Sequence, residues 1–156
     1  MSGSDVQATF IEAATSDDNG ISTAATLSEA GNLTINGALA SGGSVTFDQP
    51  RNVIITSAGN DSGDTFTVTG TDETGAAQTE AITGANTDVA TGSKFFATVT
   101  QIACSGATAG NVEAGSGTSI AAPVFQGSCR LRGLYVVNTG TAGTITFRET
   151  SGTGSI

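Results

Sequence analysis

Few side chains in this sequence could do chemistry, and their types narrow what that chemistry could be. The 156 residues contain no histidine, so the commonest general base and metal ligand is missing. No Ser/His/Asp or Cys/His pair can form. Two carboxylate pairs stand close in sequence, Asp61 with Asp64 and Asp72 with Glu73. A glycosidase needs two carboxylates facing each other across a cleft lined with aromatic residues. With no Trp and one Tyr, that groove is poorly supplied, and solvated turn carboxylates are the favoured reading. Asp61 with Asp64 is the pair with some claim to a metal. Asp17, Asp18 and Asn19 offer oxygen ligands suited to Ca²⁺, but their spacing is not that of an EF-hand loop, so a solvated turn is again favoured. Gly115-Ser116-Gly117 lacks the G-x-S-x-G frame and strand–helix setting of a nucleophile elbow. No phosphate-cradling glycine motif opens a helix. Asn32-Leu33-Thr34 and Asn60-Asp61-Ser62 match the glycosylation sequon, which carries information only in an exported protein. The expectation is no catalytic residue, no cofactor and no metal.

Cys104 and Cys129 are the two cysteines. They cannot hold a metal unaided, and spacing alone does not say whether they are bonded. The opening M-S-G-S-D-V-Q-A has neither the basic nor the apolar region of a signal peptide. No run approaches the ~18 apolar residues of a membrane span. We therefore expect a chain made and used without secretory export, with both thiols reduced and partly buried.

The elements that must position these groups read as strands. Glycine numbers 22 and charged residues make up 12%, and strong helix formers are scarce. Short runs of Thr, Val, Ile and Phe lie between Gly-bearing turns, which selects an all-β domain. The central stretch runs from Asn52 to Gly84. Val53-Ile54-Ile55 forms one strand, broken by Gly59 to Gly63. Phe66, Val68 and Gly70 alternate with Thr65, Thr67 and Thr69, giving one apolar and one hydroxyl face. Thr71 to Gly75 turns the chain, and Thr79 to Thr83 returns. Upstream, Leu33 to Ile35 and Val45 to Phe47 read as a hairpin, which Asp48-Gln49-Pro50 closes because Pro50 cannot donate to a ladder. Ile21 to Ala30 is the one window that tolerates a helix, and we read it as irregular. Downstream, Phe96, Val99 and Ile102 break the period of two, which implies a bulge or bend. Gly115 to Ser119 reads as a flexible connector.

This gives residues 1–20 as an N-terminal arm, 21–122 as an antiparallel β-sandwich (Ig-like or jelly-roll-like), and 123–156 as a C-terminal hairpin unit. One hairpin is marginal in water, so Leu134, Val136, Ile145 and Phe147 need a partner surface, which is either the first domain, a neighbouring subunit or sequence beyond Ile156. Arg130 and Arg132 share a face about Leu131. They either protect a sheet edge or dock on an acidic neighbour. The net charge of −9 opposes binding to nucleic acid and suits contact with a basic protein partner.

The stretch from Pro50 to Gly115 resembles a module of tailed-bacteriophage virion proteins. The ordered series is P-R-N-V-I-I-T-S-A-G-N-D-S-G-D-T-F-T-V-T-G-T-D-E-T-G, T-E-A-I-T-G-A-N, G-S-K-F-F-A-T-V-T-Q-I and S-G-A-T-A-G-N-V. It covers about two-fifths of the chain. Cys129 to Glu149 resembles the start of a second β module that often accompanies small phage structural proteins. The resemblance implies a component of the virion surface and brings no catalytic residues. It points to a capsid decoration or cement protein, made in the bacterial host cytoplasm and carried on the capsid exterior. The major capsid protein and copies of itself, as a homotrimer, would be its partners, with no nucleic acid and no membrane. Phe10, Ile11, Arg130, Arg132, Leu134, Tyr135 and Phe147 are the expected interface residues. A tail, head-fibre or adaptor role is the alternative, and a carbohydrate-binding module or hydrolase is the more distant one.

Overall fold

In the computed structural model, residues 15–121 are described. They lie in the first of the two units into which the chain divides, Met1–Ala122 and Pro123–Ile156. Eight strands make up the described fold: β1 (Asp17–Ala25), β2 (Gly31–Asn32), β3 (Ala40–Ser41), β4 (Ser44–Ser57), β5 (Thr65–Thr71), β6 (Ala77–Thr83), β7 (Val89–Cys104) and β8 (Val112–Ile120). Among the described residues there is no helix, so none is long and apolar enough to cross a membrane. The all-β, antiparallel expectation holds. All eight strands belong to one ladder in the order β1-β8-β4-β7-β5-β6, with β2 on β7 and β3 on β4.

The alternation in β5 is realised residue by residue. Phe66, Val68 and Gly70 are buried, and the intervening threonines are half-buried. Phe66 and Val68 join Val45, Val53, Ile55, Phe96, Val99, Ile102 and Val112 in one core with no exposed surface. Each such side chain contributes about 1.5–3 kcal/mol of transfer free energy.

The two long strands bend at register shifts. Phe96, Val99 and Ile102 all point into the core although they are three apart. Two extra residues' worth of phase must therefore be inserted. One shift falls where Thr69 pairs Gln101 but Gly70 pairs Val99, which leaves Thr100 as the unpaired residue. The other lies between Thr46 and Arg51. Pro50 sits in that interval, where its missing N–H costs no ladder bond. The bulge expected in β7 is thus present, and β4 carries its counterpart. A third shift, between Asn52 and Ile54, loops out Gly92, Ser93 and Lys94.

Five local expectations are corrected. The hairpin upstream is tighter than Leu33–Phe47. Ala40 pairs Val45 and Ser41 pairs Ser44, across Gly42 and Gly43, whose φ values are 60° and 79°. Two consecutive positive φ angles make a type I′ turn, which glycine adopts without steric cost. The strand expected to stop before Pro50 runs on through it. Asp17 to Gly20, read as a turn, begin β1, and the helix-tolerant window is strand as far as Ala25. Gly115 to Ser119 is no connector. It is the middle of β8, and Gly115, Ser116 and Gly117 are buried. A Cβ on Gly115 would run into the backbone of Asp17 and Asp18, and one on Gly117 would meet the Asn52 amide. These glycines let β1 and Asn52 approach closely.

Candidate functional site

The carboxylates are built into turns and bulges. Asp61 is fully buried. Its Oδ1 accepts from the Ala109 N–H at 2.7 Å, while its Oδ2 has no hydrogen-bond partner. Asp64 follows in the same turn, its N–H donating to the Asp61 carbonyl at 2.9 Å. Asp64 Oδ1 accepts from Ser105 Oγ at 3.2 Å. The pair thus faces two different donors of the loop between β7 and β8, and it pins that loop to the turn between β4 and β5. Asp72 Oδ1 accepts from the N–H groups of Thr74 and Ala76 and from Thr74 Oγ1, at 2.8, 3.0 and 2.7 Å. Those bonds, led by the Thr74 hydroxyl, hold its carboxyl below the usual carboxylate range. Glu73 beside it is exposed. Gly75 completes the turn with φ 84°.

Sequence reading passed over Glu80. Its side chain is nearly buried, and it caps the bulge in β7. Oε1 accepts from the Ser93 N–H at 2.6 Å and from Ser93 Oγ at 2.8 Å, and both oxygens lie 3.2 Å from the Lys94 N–H. The Asn52/Ile54 register shift frees those N–H groups from the ladder, and Glu80 takes them. A signal was available: Gln78, Glu80 and Ile82 are in phase, so Glu80 had to point inward with Ile82. Gln78 Nε2 reaches the Phe95 carbonyl at 2.7 Å, and Lys94 Nζ returns to the Thr79 carbonyl at 2.8 Å. Side chains therefore join β6 to the first half of β7, which it does not pair with.

Cys104 is a buried free cysteine. Burial pushes its thiol up, and the charges of Asp64 and Asp61 add to the effect. Such a thiol stays protonated and is a poor nucleophile. Asn32 and Asn60, the sequon residues, accept from Gln101 Nε2 and from Ser62 at 2.9 and 2.7 Å. Among the described residues, no group of three or more His, Cys, Asp or Glu is placed to hold a metal ion.

A cleft of about 820 Å³ opens beside β1, the first half of β4 and β8, lined by residues including Asp17, Asp18, Asp48, Arg51, Glu113 and Ser116. Asp48 accepts from Arg51 at 3.2 Å. The Gln49 N–H, first, and Arg51 together hold the Asp48 carboxyl below its usual range. Arg51 also donates to the Thr15 carbonyl at 3.3 Å. Nothing in the sequence pattern announced this cleft, because its residues come from three separate strands. Phe10, Ile11, Cys129, Arg130, Arg132, Leu134, Tyr135 and Phe147 lie outside the described residues.

The chain matches no protein-family model, no curated protein and no solved structure.

Proposed function

We propose that this protein is a structural component of a tailed-phage virion that decorates and stabilises the capsid exterior through protein–protein contacts. One observation carries the reading. The four segments that resemble the virion module fall on β4, β5, β6, β7 and the loop into β8, and β4, β7, β5 and β6 are consecutive neighbours in the sheet. The resemblance therefore covers one contiguous structural unit. The buried and turn carboxylates Asp61, Glu80 and Asp72 support a scaffold role, since each accepts from at least one backbone N–H of the fold. A cement protein acts by many repeated contacts, so avidity outweighs any single interface. The test is addition of purified protein to undecorated shells. Binding with a rise in shell melting temperature is expected. No binding at any salt concentration would refute the proposal. Copy number separates the capsid from other positions: hundreds per particle for decoration, a dozen or fewer for a tail or portal vertex.

A further inference from the structure

Charge is unevenly divided along the chain. Of its 14 Asp and Glu residues only Glu149 lies beyond residue 122, whereas Arg130, Arg132 and Arg148, three of the five basic residues, do. Residues 1–122 thus set 13 carboxylates against Arg51 and Lys94, a net −11, and residues 123–156 carry a net +2, which together return the −9 of the whole.

The acidic cleft has the complementary character. Asp17, Asp18, Asp48 and Glu113 line it, and Arg51 is the one cation among its described lining residues. Among the described residues Asp48 is the one carboxylate that Arg51 pairs with, and no ion pair reaches Asp17, Asp18 or Glu113. A carboxylate cluster by itself would be ordinary solvated surface. Here a second feature accompanies it. Ser116 lines the same cleft, is fully buried, and its hydroxyl has no hydrogen-bond partner. The Nε of Arg51 is also buried without one. Buried polar atoms are almost always paired, so the cleft lacks acceptors at its base as well as cations at its rim.

We propose that this cleft docks the basic segment 130–148 of a second copy of the chain. The segment's chemistry meets both deficits. Were Arg130-Leu131-Arg132 extended, the two arginine side chains would leave the backbone on the same side, their Cα atoms roughly 7 Å apart. Their planar forks suit carboxylates, and the backbone between them supplies carbonyl acceptors for Arg51 Nε and Ser116. Donor and receptor are different surfaces, so the contact is heterologous and repeats around a ring when the rotation closes. The inference concerns self-association and does not depend on the capsid reading; shell binding and ring formation fail independently.

Sedimentation of the full chain tests it. We expect a concentration-dependent oligomer at 0.05 M salt that dissociates toward 1 M, where screening shortens to about 3 Å. Asp18→Lys with Glu113→Lys should weaken association tenfold or more, as should Arg130→Glu with Arg132→Glu, since each exposed pair shifts an equilibrium by up to about fivefold. An equimolar mixture of the two double variants should restore association, because the reversed charges are complementary again. Circular-dichroism melting of each variant confirms that it folds. A monomer at every concentration in low salt would overturn the proposal. So would association that neither reversal alters, or a mixture that remains monomeric.

Discussion

Among the described carboxylates, Glu80 is the one that combines near-complete burial with several donors. It holds three donors of a bulge that has no ladder partner, and it does so while nearly buried. Hydrogen bonds to a charged acceptor contribute about 1.5–3 kcal/mol each, and the freed N–H groups would be left unsatisfied. Glu80→Ala should therefore destabilise the protein by about 3 kcal/mol in urea unfolding. Glu73→Ala, on an exposed turn, should stay within about 0.5 kcal/mol. Asp48 and Asp72 set the acid limb. Both have folded-state pKa values below the usual carboxylate range. Their stabilisation is complete above the unfolded value of about 4 and is lost as pH falls through the folded values. Asp72→Asn should lower stability near neutrality and flatten the profile below about pH 4, where variant and parent converge. Cys104 works at the opposite limb. Its folded pKa is raised, so the folded state binds the extra proton, and stability falls as pH rises past the unfolded thiol value. A thiol reagent at pH 8 should leave Cys104 unlabelled until the chain is unfolded.

At the scale of the elements, what was legible in the sequence was local. The period of two in β5, the Asp72–Gly75 turn and the broken phase of Phe96, Val99 and Ile102 each depend on neighbours within a few residues. The pairing of β1 with β8 was not legible. It joins Asp17 to Ser116, and the residues that permit it are glycines, which look like a linker when read alone. Gly115 is required by the backbone of Asp17 and Gly117 by the side chain of Asn52, both remote in sequence, so composition pointed the opposite way. The candidate cleft was hidden for the same reason. Edge β6 shows a device that no sequence pattern revealed. The Gly84 N–H donates to the Asp64 carbonyl, and Asp64 lies opposite Gly84 in the register that pairs Thr65 with Thr83. Alternation then turns the N–H and C=O groups of Ala77, Thr79 and Ala81 outward. Their side chains are small, neutral and exposed, the type of edge that recruits another strand. Lys94 Nζ occupies the outward Thr79 carbonyl. Lys94→Ala should leave the melting temperature nearly unchanged but shorten the lag of aggregation on mild heating, followed by light scattering.

Across the whole described sheet, stability is graded from the middle outward. β4 lies between β8 and β7, and Val53, Ile54 and Ile55 are all buried in its centre. Each amide there lies in a strand flanked on both sides by paired neighbours. β6 pairs on one side with β5, and among the described residues the outward backbone on its other side accepts one bond, from Lys94. Sheet order also sets the folding problem. β1 finds its partner only when β8 is present, and contacts so distant in sequence make folding slow, in the millisecond-to-second range. Hydrogen exchange should follow that grading. The Ile54 and Ile55 amides should exchange only through global unfolding, with protection equal to the full unfolding free energy. The outward Thr79 and Ala81 amides should exchange many orders of magnitude faster in the native state. Uniform protection across β4 and β6 would mean that the edge is covered, and the strand order derived for the sheet would then have a seventh neighbour beyond β6.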